Sequence, residues 1–209
     1  MTLSTWKFGK LPLFGFDVIV ADPPWDFQNY SAKGTKKGAD PHYRVMPIEA
    51  IAALRIGDLA RRDCLVLLWA TGCMLPQALA VLAAWGATYK SELVWRKVYR
   101  SGKQRIGTGY RVRTMHEPIV VGAFGRPVHK ALPSLFDGVA REHSRKPDEF
   151  YQLLRAATPA GARCDLFSRE TRAGFTGWGD EATKFDACDG PLSGAPKSSG
   201  SFPQGVPHG

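Results

Sequence analysis

Residues 16–25 read Phe-Asp-Val-Ile-Val-Ala-Asp-Pro-Pro-Trp, an apolar run broken by two prolines. Phe16 to Ala21 is a short apolar run rich in β-branched residues, the pattern of a strand buried on both faces. Such strands belong to α/β sheets with helices covering both sides. The strand must stop at Asp22. Pro23 and Pro24 have no N–H to give a ladder, and they fix a rigid, extended turn. In α/β sheets ligands lie beyond the carboxyl ends of the strands, so Asp22 to Trp25 stands where chemistry is expected.

The flanking sequence agrees with this class. Pro47 to Arg61 carries Ile48, Ile51 and Leu54 at helical spacing, with Pro47 placed for a first turn. Cys64 to Ala70 is a second buried strand. Leu75, Leu79 and Leu82 give a helix that Gly86 stops. Thr88 to Lys97 and Glu117 to Phe124 read as strands. Pro147 to Ala157 reads as a helix opening on Pro147, with Asp148 and Glu149 stabilising its first turn. Arg163 to Ser168 reads as the last strand. Residues 1–186 form one domain in this reading, and the Gly-, Pro- and Ser-rich residues 187–209 a flexible tail.

Composition narrows the classes further. The 209 residues include 28 Lys and Arg against 19 Asp and Glu, a net charge of +9. A basic balance of this size points to a polyanionic partner, most often nucleic acid, although a basic protein without such a partner has the same composition. The longest apolar run, Cys64 to Ala70, is too short to span a bilayer, so no membrane partner is expected. Met1 to Lys10 holds no apolar signal-peptide core, which leads us to expect an intracellular, cytoplasmic protein. Cys64, Cys73, Cys164 and Cys188 show no metal-ligand spacing, so free thiols and no metal site are expected.

Two segments are long and basic. Residues 29–44 contain Lys33, Lys36 and Lys37. Residues 97–114 contain Lys97, Arg100, Lys103, Arg105, Arg111 and Arg113 and no acid. Tyr30, Tyr43, Tyr99 and Tyr110 are interleaved. Cations of this kind track a phosphate backbone, and aromatic rings stack on bases. A solvated surface loop is the plainer alternative.

The turn Asp22-Pro23-Pro24-Trp25 matches one demand of chemistry closely. The exocyclic amine of adenine is a poor nucleophile, because its lone pair is delocalised into the ring. Two acceptors aimed at its hydrogens draw that pair back onto nitrogen. The Asp22 carboxylate supplies one, and the rigidly held Pro23 carbonyl supplies the other. Trp25 offers a face for an extruded base.

At this point the chain resembles a known family. Asp-Pro-Pro-Trp after an apolar strand is similar to the amino-methyltransferases that modify adenine at N6, most closely the family of the catalytic subunit of the eukaryotic mRNA adenosine methyltransferase and its bacterial and phage relatives. The resemblance runs from Phe14 to Glu181. Its blocks fall in family order: Val-Ile-Val-Ala-Asp-Pro-Pro-Trp-Asp at 18–26, Leu-Leu-Trp-Ala-Thr-Gly at 67–72, Val-Trp-Arg-Lys at 94–97, His-Glu-Pro at 116–118, His-Ser-Arg-Lys-Pro-Asp-Glu at 143–149 and Asp-Leu-Phe-Ser-Arg at 165–169.

The resemblance implies a Rossmann-like methyltransferase sheet in permuted motif order, with S-adenosylmethionine as methyl donor. It implies a cofactor site of Asp22, Lys146, Phe167, Arg169, Asp180 and Glu181, with Lys146 on the methionine carboxylate and Arg169 on the ribose. Asp180 stands where the family usually has an amide, and an ionised Asp cannot donate as an amide does. Thr171 and Arg172 also depart from the His-Asn of the eukaryotic enzymes. The expected reaction is methyl transfer to adenine N6 with DNA favoured over RNA, by analogy with the bacterial and phage members. Cytosine N4 is a weaker alternative, since related enzymes for it usually carry Ser in place of Asp22. A non-catalytic nucleic-acid-binding subunit is a different class, and the presence of Asp22 to Trp25 and Lys146 weighs against it. A homodimer and a partner subunit are both compatible with the sequence.

Overall fold

The computed structural model describes residues 6–26, 45–109, 111–142 and 144–186. Lys33, Lys36, Lys37, Tyr110, His143 and the 187–209 tail lie outside the described residues. The elements in chain order are β1 (Phe16–Ala21), α1 (Ile48–Ala52), β2 (Ala60–Trp69), α2 (Leu75–Ala84), β3 (Thr88–Val98), β4 (His116–Phe124), β5 (Leu135–Val139), α3 (Asp148–Ala157), β6 (Arg163–Leu166) and β7 (Thr176–Trp178).

The seven strands form one sheet in the order β5-β3-β4-β2-β1-β6-β7. Its centre is parallel, β1 pairing with both β2 and β6. Among the described strands β4 alone runs in the opposite direction, between β2 and β3. Apolar side chains alternate between the two faces, as the pleat requires. Ile19, Ala21, Val66, Leu68 and Leu166 pack on one face with Ile51, Val81 and Leu82 of α1 and α2. Val18, Val20, Leu67 and Trp69 pack on the other with Phe150, Tyr151 and Leu154 of α3. The sheet is therefore covered on both sides, as its near-continuous apolar strands dictate.

Several boundaries differ from the sequence reading. The helix expected from Pro47 to Arg61 is only α1, followed by a single tight turn at Ile56–Asp58. Gly57, a poor helix former, approaches the Trp85 carbonyl too closely to carry a side chain comfortably, and Arg61 already lies in β2. Pro47 and Pro147 sit one residue before their helices, in extended conformation. The α2 face that is buried is Ala78, Val81 and Leu82, while Leu79 is exposed. Gly86 ends α2 with φ +86°, as expected of a helix C-terminus. β5 and β7 were not apparent from sequence. Both are short edge strands, and each contains a glycine that lowers strand propensity. Cys64 and Cys164 are buried free thiols and Cys73 is an exposed one. No described helix is long and apolar enough to cross a membrane.

Candidate active site

β1 delivers the key turn. The ladder to β6 continues one residue past the strand, with Asp22 N–H donating to the Leu166 carbonyl at 3.2 Å. The two prolines then turn the chain, and Pro23, Pro24 and Trp25 are buried. The Pro23 carbonyl accepts the Trp25 N–H at 2.8 Å, and the Pro24 carbonyl accepts the Met46 N–H at 2.9 Å. A carbonyl oxygen has two lone pairs, so Pro23 keeps one for a ligand. Trp25 differs from expectation. It is 6% exposed and belongs to the core, and its indole N–H donates to the Trp69 carbonyl at 3.0 Å. In this arrangement the ring locks the turn to the end of β2 and offers no open face for a base.

The Asp22 carboxylate meets Lys146, with Oδ1 and Nζ 3.1 Å apart. Lys146 also lies 3.1 Å from Glu117 Oε2, and Glu117 Oε1 lies 2.5 Å from Lys97 Nζ. Two acids and two lysines thus alternate in one line. The Lys146 ammonium stands 4.8 Å from the centre of the Trp69 ring, which is fully buried beneath it. Burial raises the Asp22 carboxyl above the usual aspartate range, against the pull of Lys146. For Glu117 burial works the same way, but the ammoniums of Lys146 and Lys97 outweigh it and hold the carboxyl below its usual range. Burial opposes the charge of Lys146 too. Asp22 and Glu117 overcome it and hold the ammonium above the usual lysine range.

Glu117, which the sequence did not mark for the site, joins it through its ion pair with Lys146. It sits at the start of β4. Because β4 is antiparallel, its beginning and not its end lies beside the carboxyl ends of the parallel strands. Only the strand pairing reveals this.

A cleft open to solvent lies past β1 and β6, with Asp22, Lys146, Asp165, Phe167, Arg169 and Arg172 in its walls. β6 ends at Leu166, and Phe167 turns over the cleft with φ +61°, a conformation that is strained for a residue with a side chain. Arg169 pairs with Glu181 at 2.5 Å. Glu181 is also held by Lys184 at 2.8 Å. Asp22, Lys146, Phe167 and Arg169 share the cleft walls, and Glu181 reaches them through its ion pair with Arg169. Asp180 does not join them: it is exposed, and it is absent from the cleft walls.

The segment after β3 is more ordered than a free loop. Gln104 Nε2 donates to the carbonyls of Lys97 at 2.8 Å and Met115 at 3.0 Å, closing a hairpin stem. Arg105 is half-buried, its guanidinium Nη1 against the carbonyls of Ala140 and Arg141. Arg100, Lys103, Arg111 and Arg113 are exposed on the same projection.

The sheet and its flanking helices are of the Rossmann-like methyltransferase type. Comparison with known sequences gives the family: the MT-A70 family model matches residues 16–181, and the chain belongs to that family. The chain is 31% identical over 171 residues to a probable N(6)-adenosine-methyltransferase MT-A70-like protein of Oryza sativa subsp. japonica, an alignment covering 78% of this chain and 22% of the relative. It is 28% identical to the N6-methyladenosine RNA methyltransferase MTA1 of Cryphonectria parasitica, covering 81% of this chain and 52% of the relative. It is 25% identical to the Type II methyltransferase M.MunI of Mycoplasma sp, covering 83% and 81%. The chain thus spans less than a quarter of the rice relative and about half of the fungal one.

Proposed function

We propose that this protein transfers a methyl group from S-adenosylmethionine to the N6 amine of adenine in DNA. The observation that carries this reading is Asp22, held on its Pro-Pro turn at the mouth of the cleft and paired with Lys146 at 3.1 Å.

The cleft suits the donor by the chemistry of its side chains. S-adenosylmethionine has a carboxylate, a cationic sulfonium bearing the reactive methyl, ribose hydroxyls and a purine. Lys146 answers the carboxylate. The carboxylates of Asp22 and Asp165 answer positive charge. Arg169 and Glu181 present a donor and an acceptor side by side for hydroxyls, and Phe167 gives an aromatic wall. The donor supplies an electrophilic methyl, and no metal or covalent enzyme intermediate is needed.

The residues of the chain do the rest. Asp22 accepts one amine hydrogen, and the second lone pair of the Pro23 carbonyl accepts the other. The amine pair is thereby localised on nitrogen and held in position for in-line attack. The burial that raises the Asp22 carboxyl also makes it a readier proton acceptor once nitrogen has gained its fourth bond. Glu117 gives Lys146 a counter-charge that does not depend on Asp22, so the ammonium stays in place whichever group Asp22 engages.

DNA is favoured because the Type II methyltransferase M.MunI is matched over most of its own length. RNA is the second reading, favoured by the MTA1 relatives, which are RNA methyltransferases by name. In either case Arg100, Lys103, Arg111 and Arg113 supply phosphate contacts, and Lys33, Lys36 and Lys37 are proposed to add to them.

The test is methyl transfer from labelled S-adenosylmethionine to unmethylated DNA and to matched RNA, with Asp22→Ala alongside and nucleosides identified by mass spectrometry. N6-methyladenine in DNA, lost in the variant, is the expected result. The same product in RNA alone overturns the substrate. Donor binding without transfer points to a missing partner subunit. Neither binding nor transfer overturns the enzyme reading in favour of a non-catalytic subunit.

A further inference from the structure

Arg172 lies in the turn between β6 and β7, and its side chain is 8% exposed. Its Nη2 donates to the backbone carbonyl of Lys146 at 3.0 Å and to Glu170 Oε2 at 2.7 Å. Its Nη1 donates to Asp148 Oδ1 at 2.6 Å. Its guanidinium carbon is 3.7 Å from the centre of the Tyr151 ring. The Tyr151 hydroxyl in turn donates to Asp165 Oδ2 at 3.0 Å. Lys146 and Asp165 both face the cleft. One planar cation therefore grips the backbone of one cleft residue and clamps the ring that orients another.

The chemistry of these contacts is specific to arginine. A flat guanidinium can stack on a ring and donate in its own plane at the same time, and a lysine cannot. Glu170 and Asp148 supply the counter-charge that a cation recessed to this degree requires. Arg141 Nη2 donates to the same Lys146 carbonyl at 3.0 Å, so that oxygen is held from two sides.

We propose, resting on the reading of the cleft as an S-adenosylmethionine site, that Arg172 is a positioning residue for the methyl donor: its fork fixes Lys146, and its charge over Tyr151 governs Asp165. These two roles separate experimentally. The fork needs the guanidinium shape. The charge needs only a cation.

Asp165 is faced by Arg172 from the turn after β6, Tyr151 from α3, Lys146 from the residues before α3 and Asp22 from the turn after β1. Burial pushes its carboxyl up to about 7, and Arg172 exerts the largest pull in the other direction. Loss of the Arg172 charge therefore moves the titration of Asp165 upward.

The experiment is calorimetric titration of the whole chain with S-adenosylmethionine from about pH 6 to about pH 9, for wild type, Arg172→Lys, Arg172→Gln and Tyr151→Phe, with a thermal melt of each. Wild-type binding is expected to strengthen as pH rises through the titration of Asp165. Arg172→Lys is expected to bind about tenfold more weakly, the loss of one charge-assisted hydrogen bond, with an unchanged pH midpoint. Arg172→Gln is expected to bind more weakly and to shift the midpoint upward. Tyr151→Phe, which keeps the ring and loses the hydroxyl, is expected to shift the midpoint and to keep wild-type affinity at the alkaline end. Arg172→Lys binding as tightly as wild type overturns this proposal alone. So do variants that lose affinity only in step with their melting temperature while sharing one midpoint. Failure of the wild type to bind the donor overturns both this proposal and the cofactor reading beneath it.

Discussion

Glu117 reaches Lys146 with Oε2 and Nζ 3.1 Å apart, and this contact joins the one described antiparallel strand to the residues that open α3. Both side chains are recessed, with side-chain exposures of 12% for Lys146 and 14% for Glu117. Their pairing therefore belongs to the class in which removing one partner leaves a buried charge behind.

Glu117→Gln tests that pairing. The variant should lose about 3 kcal/mol in urea unfolding at neutral pH, the usual cost of breaking a buried pair. The folded-state carboxyl lies below its unfolded value. Its contribution is thus complete above the ordinary glutamate range and disappears as pH falls through the folded value. The stability curves of wild type and variant should converge in acid. Equal stability at neutral pH would show that the pair contributes nothing.

Asp165→Asn should have the opposite sign. The Asp165 carboxyl titrates near 7 when folded, against 3.8 as its ordinary value. Between those values the folded chain holds the proton more tightly than the unfolded one, so this group makes stability fall as pH rises. The variant should be more stable than wild type at pH 8, on the order of 2–4 kcal/mol by linkage. The gain should shrink toward pH 4, and parallel denaturant titrations at the two pH values will show whether it does.

Gly138→Ala couples stability to the site. A Cβ there would stand 2.6 Å from Pro147 Cβ and 2.6 Å from Trp95 Nε1. The Trp95 N–H donates to the Gly138 carbonyl at 2.9 Å, so the indole does not move freely. Overpacking of this kind costs about 1–3 kcal/mol. Because Pro147 follows Lys146 directly, donor affinity should fall together with the melting temperature. A loss of stability with unchanged affinity would show that the displacement stops short of Lys146.

The exposed cations of the β3–β4 projection can be counted by salt. Each phosphate contact contributes about −0.9 to the slope of log affinity against log salt concentration on duplex DNA. Replacing Arg111 and Arg113 together by Ala should make the slope shallower by about 2 if both contact phosphate. Fluorescence anisotropy across a salt series reads this directly, and an unchanged slope would remove them from the interface.

The parts of this architecture that sequence made legible are those written locally. β1 and its Pro-Pro turn are visible in ten consecutive residues, because burial on both faces and proline chemistry act at short range. α3 is legible from Pro147 and from the two acids of its first turn. Glu117 is not, since nothing around His116 and Pro118 says that β4 runs backwards. In the sequence alone, Trp25 has the type and position of a surface for a base. Its burial follows from a partner carbonyl at Trp69, distant in sequence. Arg172 carried no pattern either, for its partners come from the residues before α3, from α3 itself and from its own turn. Edge strands β5 and β7 are assigned by their neighbours, and each is too short for periodicity to show.

The reversal of β4 also has a consequence for how the molecule can diversify. β3 runs toward the end of the sheet where β1 and β2 finish and β4 runs away from it, so the segment between them emerges on the side of Asp22 and Lys146. Its base is bolted by the Lys97–Glu117 ion pair and by Gln104. What lies beyond that base can change in length and charge while the pairing beneath it, and the acid–lysine line it anchors, stays the same. On the proposed function, the hairpin is in effect a socket: its exposed cations are separable from the acid–lysine line beneath them.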